Sequence, residues 1–450
     1  MNNKYWNWLF LILILVFIGF KIPTLNTPLY QDEQSLVVAT LFLSESSFQE
    51  FTPYAGHPPL ITILLLGFMK LFPWRLIYPH IISLAFSILA LIYFFKIIDH
   101  FRNKKLAFFG ACLLATTPLF FTQAGILNLD LPGLSLVLTA YFYYLKNKKS
   151  LFVLFSTLAL LTKETTGIII TLILAFDFFS KVKSIKQVLP YIKKNYEYLI
   201  PYFSLLIWIL FCKISYGWFI YPVHGSYFFR DGDWWKTIIE FVFFKNKRLL
   251  LLPFIFIGLI SKNLRKEKFL LLTIVIFNML FFANIFLGRY TIIIIPFYLL
   301  LFFISIPKSK LVLFISILLI FINIFNIYPD SNTLTNGEEY NMNYLNVISF
   351  HKQGVELMNK EYPNGDIFSL WPINQHFNHP QAGYLDVHRN TRSFYDDEYL
   401  NETLLKIAFS SSLEDPWNHK RFIKILDEQN FIPKIILTWR GDSIVIYEKQ

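Results

Sequence analysis

A polar stretch after the first apolar run contains residues that could move protons. Asp32 and Glu33 stand side by side there, and His57 follows later, directly before Pro58 and Pro59. A carboxylate in a partly dry cleft can accept a proton from an attacking hydroxyl or amine, or it can hold a cation. Asp32 could equally cap a helix, because an apolar helical pattern begins just after it. The acidic pair alone therefore leaves catalysis and capping open.

Four further polar residues stand at the ends of later apolar runs. Asp130 precedes Pro132 by two positions, which is typical of a helix N-terminus as well as of a functional acid. Lys163 ends a run, where its ammonium could simply reach the lipid head groups. Arg289 and Tyr290 open a late run, and the planar donors of an arginine suit either head groups or a bound phosphate.

The composition indicates which elements must position these residues. Of 450 residues, 55% are hydrophobic and only 16% are charged, and the mean hydropathy is +0.47. A soluble domain carries about a quarter charged residues. About eleven apolar runs are long enough, or nearly so, to cross a bilayer, which takes roughly 17–25 residues. Their centres lie near Ile14, Phe86, Leu114, Leu138, Leu158, Ile170, Leu206, Phe254, Ile276, Phe297 and Leu318. We therefore predict a polytopic α-helical membrane protein, with the shorter segment 60–72 as an interfacial helix.

The basic residues predict the orientation of these runs. Lys and Arg cluster in the connections after every second run, at 103–105, 146–149, 181–186, 262–268 and 308–310. Cytoplasmic connections carry such an excess, so we predict a cytoplasmic N-terminus and, with an odd number of crossings, an external C-terminus. The acids and cations named above then share the outer face. Because charges at membrane depth usually mark function, we expect Asp32 and Asp130 to open onto one external cleft.

The polar C-terminal part of the chain predicts a separate small domain. Three segments are rich in apolar and β-branched residues, as strands are, namely 366–371, 434–439 and 443–447. The segment 413–429 has the pattern of a helix. We therefore predict a transmembrane domain at 1–330, with an external catalytic loop at 24–60, and an external α/β domain at 331–450.

Taken in order, these positions resemble the GT-C superfamily of integral membrane glycosyltransferases. An outward Asp-Glu follows the first span, a Pro-Pro pair precedes an interfacial helix, and Leu-Asp-x-Pro opens the fourth span. Leu-Thr-Lys closes the fifth span, and Arg-Tyr stands near a late one. The branch it resembles contains the protein O-mannosyltransferases and the bacterial enzyme that adds aminoarabinose to lipid A. The resemblance covers roughly residues 5–330 and depends on the order and common sidedness of the motifs.

The resemblance implies a role for each candidate residue. By this resemblance, the catalytic residues of the chain would be Asp32, Glu33 and Asp130, with Asp32 as the base or as the acid that orients the acceptor. Its substrate-binding residues, near the phosphate of a lipid-linked donor, would be His57, Lys163, Arg289 and Tyr290.

Two positions depart from the family's pattern. The residue before the Pro-Pro pair is often lysine in the family and is His57 here, and an imidazole titrates near neutrality. The residue after Lys163 is Glu164, where many relatives carry glycine. A carboxylate at this position could weaken the field of Lys163 or fix its rotamer.

The resemblance therefore implies an inverting glycosyltransferase of the cytoplasmic membrane. It would move a sugar from a polyprenyl-phosphate donor to a lipid, glycan or protein acceptor at the outer face. A membrane polymerase or ligase of polyprenyl-linked oligosaccharides works at the same face and stays an alternative. A lipid-carrier flippase or transporter would need polar residues through the spans, and these runs lack such a track. A non-catalytic scaffold gives no reason for acids and bases to share one face.

Other classes of ligand are less well supported. The net charge is +11, but the basic residues are divided among short membrane-flanking clusters, so no nucleic-acid partner is predicted. Cys112 and Cys212 lie in apolar runs and predict neither a disulfide framework nor a cysteine-rich metal site. Asp32, Glu33 and Asp130 could give oxygen ligands to a divalent metal, but they are too few to predict a metal site or a cofactor.

The predicted orientation can be tested by thiol labelling in intact cells. In a variant without Cys112 and Cys212, Ser47→Cys should react with a membrane-impermeant reagent, because its loop is predicted to be external. Lys148→Cys should react only after the membrane is permeabilised, because basic connections stay in the cytoplasm. If only Lys148→Cys is labelled in intact cells, the orientation is the reverse of the predicted one and the acids lie at the inner face.

Overall fold

The structure of the protein is a computed structural model with two compact units. It describes residues 3–45, 56–222, 234–261, 263–282, 287–306, 309–328, 339–394, 406–413 and 418–450. Residues 46–55 of the predicted catalytic loop therefore lie outside the described residues. The first unit comprises Met1–Ile22, Pro53–Leu64 and Ile82–Ile327. The second unit comprises Pro23–Thr52, Leu65–Ile81 and Tyr328–Gln450.

Helices dominate the chain up to Ile327. In order they are α1 (Asn3–Lys21), α2 (Asp32–Glu45), α3 (Leu60–Leu71), α4 (Ile77–Phe101), α5 (Lys104–Thr116), α6 (Pro118–Gln123), α7 (Asp130–Leu145), α8 (Lys149–Thr162), α9 (Gly167–Lys181), α10 (Val188–Asn195), α11 (Ile200–Tyr216), α12 (Trp234–Ile239), α13 (Leu252–Ile260), α14 (Arg265–Phe282), α15 (Thr291–Ser305) and α16 (Ser309–Ile327). Two 3₁₀ turns matter for the site, Glu164–Thr166 after α8 and Gly288–Tyr290 before α15. Each predicted run centre falls within one of these helices.

Five described helical segments are long and apolar enough to cross a membrane, by length and composition. They are Lys4–Thr24, Ile77–Phe101, Ile185–Tyr216, Gly288–Ser305 and Ser309–Ile327. α3 and α8 are apolar but shorter. A helix satisfies its own backbone hydrogen bonds, which is what a bilayer requires of a spanning segment. The prediction of a multi-pass α-helical membrane protein is confirmed, whereas the count of about eleven crossings and the interfacial position of α3 stay predictions.

α15 and the first part of α7 form the buried centre of the first unit. Every residue of α15 is buried, and so is α7 from Asp130 to Tyr141. A helix that is apolar all round is stable where other helices surround it. α13 approaches α15 very closely, because a Cβ added at Gly258 would overlap the side chain and backbone of Ser305. Asp130 is therefore the first residue of one tightly packed helix, α7, and Arg289 lies in the turn directly before another, α15.

A five-stranded sheet forms the core of the second unit. Its strands are β1 (Ile367–Ser369), β2 (Thr391–Ser393), β3 (Ile407–Ser411), β4 (Phe431–Trp439) and β5 (Asp442–Lys449). They are arranged in the order β2-β1-β3-β5-β4, with β1 parallel to β2 and β3, and β5 antiparallel to β3 and β4. The described helices of its C-terminal part are α17 (Tyr344–Glu361), α18 (Ile373–Asn378) and α19 (His419–Glu428), and α2 belongs to the same unit. The prediction of a small C-terminal α/β fold is confirmed.

The sequence located part of this sheet. The three predicted strands correspond to β1, β4 and β5, and the helix predicted at 413–429 corresponds to α19, with residues 414–417 outside the described part. α17, α18, β2 and β3 were not predicted. Buried Val347, Ile348, Val355 and Met358 recur at helical spacing along α17, so its pattern could have been found. β2 has three residues, which is too short for an alternating pattern.

The start of α2 is bonded to the C-terminal residues of the second unit. The Leu29 amide donates to the Ala382 carbonyl at 2.9 Å, and the Tyr384 hydroxyl donates to the Leu29 carbonyl at 3.1 Å. The side-chain amide of the buried Gln34 donates both to the Leu29 carbonyl and to Nε2 of His376, at 2.8 Å each. The C-terminal fold therefore fixes where α2 begins. The predicted domain boundary after residue 330 stays a prediction.

Candidate active site

One buried carboxylate joins two cations in the first unit. Asp130 is 1% exposed, and its Oδ1 accepts a hydrogen bond from Nζ of Lys163 at 2.6 Å. Its Oδ2 lies 3.6 Å from Nε of Arg289. The side chain of Lys163 is 6% exposed and that of Arg289 is 14% exposed. The structure therefore brings together three of the predicted site residues, which lie far apart in the sequence.

The local fold explains how these three residues meet. Asp130 is the first residue of α7, and α7 packs along α8. Lys163 is extended between α8 and the following 3₁₀ turn, with φ −154° and ψ 124°. Gly133 lets this turn approach α7, since a Cβ there would lie 2.9 Å from Cγ2 of Thr166. Arg289 lies in the 3₁₀ turn that leads into the buried α15.

The geometry argues against helix capping by Asp130 and against snorkelling by Lys163. α7 has Leu129 at its N-cap with no side-chain cap bond, so the Asp130 carboxylate is used on Lys163 and Arg289. Lys163 is buried rather than extended to the surface as a snorkelling lysine would be.

Tyr290 completes the surroundings of the lysine. Its ring centroid lies 4.5 Å from Nζ of Lys163 and 5.8 Å from Cζ of Arg289, and the ring packs on Phe282 at 5.1 Å. The face of an aromatic ring attracts a cation. Burial by itself lowers the pKa of Lys163, but the Asp130 carboxylate and Tyr290 raise the pKa above its ordinary value. The ammonium therefore stays charged at neutral pH.

His57 and Glu164 form a second pair in the same unit. Nδ1 of His57 lies 3.0 Å from Oε2 of Glu164 and 3.1 Å from Oε1. Burial raises the pKa of the Glu164 carboxyl, but the charge of His57 and the hydrogen bond to it outweigh burial and lower the pKa to about 2. The two departures from the family's pattern therefore contact each other. The sequence indicated each residue separately, but it gave no sign of their contact.

The acidic pair of α2 belongs to the second unit. Glu33 is buried, where Oε2 accepts from the Tyr30 amide at 3.2 Å, as the glutamate of a capping box does. Its Oε1 lies 3.4 Å from Nε2 of His80, which is also buried. Asp32, the first residue of α2, is partly exposed. The catalytic roles of Asp32 and Glu33, and a cleft shared with Asp130, stay predictions.

His80 is a polar partner of Glu33 that the sequence analysis missed. Its Nδ1 donates to the Leu25 carbonyl at 2.8 Å while Nε2 faces Glu33. A histidine inside an apolar run was the signal, because ionisable groups there usually have a partner.

The described residues offer no ready metal site. No group of three or more His, Cys, Asp or Glu side chains within the described part of the chain could hold a metal ion. Asp130, one of the acids considered for that role, uses its oxygens on Lys163 and Arg289.

The charges of the cluster suit an anion. Asp130 supplies one negative charge, whereas Lys163 and Arg289 supply two positive charges. An ammonium and a guanidinium both form strong, charge-assisted hydrogen bonds with phosphate oxygens. The cluster can therefore bind a phosphate group and stabilise negative charge that develops on it.

Comparison with known proteins shows what this chain is similar to. Residues 56–208 match the family model described as dolichyl-phosphate-mannose-protein mannosyltransferase. The structure of ArnT from Cupriavidus metallidurans in the apo state is similar, with a TM-score of 0.64, 11% identity, and coverage of 98% of both chains. ArnT bound to undecaprenyl phosphate is similar too, with a TM-score of 0.65, 11% identity, and coverage of 99% of this chain and 98% of that one. No curated protein matches this sequence.

The chain therefore has the fold of the ArnT structures. The resemblance predicted from the order of the motifs is thereby confirmed. The matched residues 56–208 include His57, Asp130, Lys163 and Glu164, so the match spans the Asp130–Lys163 pair and the His57–Glu164 pair.

The Asp130 cluster makes a testable prediction about stability. Asp130→Asn should lower the thermal unfolding midpoint in detergent, because it leaves the buried Lys163 and the partly buried Arg289 as neighbouring cations without their carboxylate. Breaking a buried ion pair from one side costs about 3–5 kcal/mol. Adding Lys163→Met to Asp130→Asn should recover part of that loss. The control is Glu356→Gln, which removes an exposed pair with Lys352; an equal shift in both single variants would contradict the prediction.

Proposed function

We propose that this protein is an inverting glycosyltransferase that takes a sugar from a polyprenyl-phosphate donor. The acceptor is a lipid, glycan or protein at the outer face of the cytoplasmic membrane. The observation that carries the proposal is the buried Asp130 carboxylate held between Lys163 and Arg289 in a GT-C fold. Such a cluster has one more positive than negative charge and suits the phosphate of the donor.

The cation cluster supplies the leaving-group chemistry. In the transfer, the bond between the sugar's anomeric carbon and the phosphate oxygen breaks, and negative charge builds up on the phosphate. Lys163 and Arg289 stabilise that charge, and Asp130 fixes their positions before the substrate arrives. Preorganised charges of this kind usually supply the largest single part of a rate enhancement.

Asp32 supplies the acceptor chemistry. Its carboxylate takes the proton of the attacking hydroxyl or amine as the new glycosidic bond forms on the opposite face of the sugar. Its place at the start of α2 and its partial exposure support this role. Glu33, which contacts Tyr30 and His80, holds the first turn of α2 in place.

The structural relative supports the donor class. One ArnT structure, which is similar to this chain over 99% of this chain's length, was determined with undecaprenyl phosphate bound. A polyprenyl phosphate has the features that the first unit would recognise, an apolar chain for its apolar helices and a phosphate for its cations.

Arg289 variants test the phosphate role. Arg289→Ala should reduce transfer from an undecaprenyl-phosphate-linked sugar by about 10²–10³-fold, the scale of losing one donor to a developing anion. Arg289→Lys should recover only part, because lysine lacks the planar fork. The assay compares membranes that contain equal amounts of folded protein. The control is Arg392→Ala, which removes a partly exposed pair with Asp366. Full activity of Arg289→Ala would limit Arg289 to anchoring the helix.

Asp32→Asn tests the acceptor chemistry in the same assay. Asparagine caps a helix about as well as aspartate but cannot take a proton at neutral pH. The variant should fold normally and lose transfer by about 10²–10⁴-fold, the usual size of a general-base contribution. Asp99→Asn, at the far end of α4, serves as the matched control. Equal rates for Asp32→Asn and the parent protein would remove Asp32 from the mechanism.

A further inference from the structure

The contact between His57 and Glu164 joins a titratable group to the cation cluster. The two residues stand 107 positions apart, yet Nδ1 of His57 reaches both carboxylate oxygens of Glu164. The His57 side chain is 14% exposed and that of Glu164 is 38% exposed, so solvent screens the pair only in part. Glu164 directly follows Lys163, which binds Asp130. A change of charge in the pair therefore acts on the lysine beside it.

The contact pairs an imidazole with an ionised carboxylate. A carboxylate in its ionised form only accepts hydrogen bonds, so Nδ1 of His57 carries a proton and donates it. The depressed pKa of Glu164, caused chiefly by His57 once burial is overcome, keeps its carboxyl ionised in any ordinary assay. An imidazole gains or loses its second proton near neutrality. Since the Glu164 carboxyl stays ionised, any change of charge within the pair has to involve its imidazole.

Several charged or titratable groups surround the pair. Glu164 and Lys163 face it from the turn after α8, and Asp130, Arg289 and Tyr290 adjoin that lysine from the starts of α7 and α15. Tyr221, after α11, packs against Gly56, the neighbour of His57. Histidine is the only type of side chain in this set that ordinarily changes charge near neutral pH.

Protonation of His57 changes the balance of charge in this set. With His57 protonated, three cations (His57, Lys163 and Arg289) stand against the two carboxylates of Asp130 and Glu164. Without that proton, two cations stand against the same two carboxylates, and the uncompensated Glu164 lies next to Lys163. The set then no longer favours an incoming phosphate.

We propose that the His57–Glu164 pair makes the binding of the donor's lipid phosphate sensitive to protons. Protonated His57 neutralises Glu164 and leaves Lys163 and Arg289 available to the phosphate. Loss of the proton exposes the phosphate to the charge of Glu164 and weakens binding. Glu164 and His57 are positioning residues that act through Lys163. The inference depends on the proposed use of a polyprenyl-phosphate donor.

Equilibrium binding of undecaprenyl phosphate to the purified full-length protein in detergent tests this inference. The measurement runs from about pH 5.5 to about pH 8.5, around the ordinary titration of imidazole. The phosphate of the probe titrates in the same range, so each affinity is divided by that of His57→Gln/Glu164→Gln at the same pH. This ratio should fall by about tenfold as the pH rises, which corresponds to about 1.4 kcal/mol. His57→Lys should remove the fall and keep tight binding, because lysine stays charged.

Neutral variants distinguish this mechanism from direct contact between His57 and the phosphate. His57→Gln should bind weakly at every pH, because Glu164 is then uncompensated. The double variant His57→Gln/Glu164→Gln should bind about tenfold more tightly than His57→Gln, since it removes the repelling carboxylate. Binding by the double variant that stays as weak as that of His57→Gln would overturn the proposal. Glu197→Gln, whose side chain is 37% exposed and paired with Lys149 at 3.2 Å, is the matched control and should change nothing.

The outcomes also separate this inference from the proposed function. If the parent protein fails to bind undecaprenyl phosphate at any pH, the proposed donor is wrong. If it binds, but the ratio of its affinity to that of the double variant is constant across the pH range, the donor class stands and the proposed proton sensitivity is wrong.

Discussion

The interaction on which the first unit depends is the buried carboxylate of Asp130 between Lys163 and Arg289. An isolated carboxylate in an apolar interior is strongly unfavourable, and pairing it with nearby cations and hydrogen bonds removes most of that cost. The starts of α7 and α15 and the turn after α8 must therefore keep their relative positions, or the charge loses its partners. The same constraint places two cations beside one acid. The contact that stabilises the fold thus also creates the positive field that a phosphate would meet.

Close helix packing keeps this arrangement rigid. α15 is buried along its whole length, and α13 lies against it where glycine leaves room for the backbone of Ser305. Gly133 does the same for the turn that carries Lys163. A site on packed helices holds its charged groups more precisely than a site on exposed loops. Arg289 and Lys163 are positioned by backbone elements, and the Tyr290 ring limits the positions that the ammonium can adopt.

The second unit treats its two adjacent acids differently. Glu33 is buried between the Tyr30 amide and His80, so its carboxylate organises the first turn of α2. Asp32, one residue earlier, is partly exposed. The bonds of Gln34 with Leu29 and His376 fix the same turn against the C-terminal residues. The C-terminal α/β fold is therefore part of the support of α2, although its sequence lies some three hundred residues further along the chain.

The sequence by itself determined the membrane-protein class, the places of the apolar helices and the small C-terminal α/β fold. These follow from composition and periodicity, which are local properties of the chain. It also indicated Asp130, Lys163 and Arg289, because charges near membrane depth are costly and usually mark function. It could not determine which partner each residue has. The contact of Lys163 with Asp130, that of His57 with Glu164 and that of Glu33 with His80 each join distant segments, and only helix packing brings them within a few ångströms. The tertiary structure likewise decided that Glu33 is buried while Asp32 is partly exposed. Adjacent residues on a helix point in different directions, and only packing determines which direction is covered.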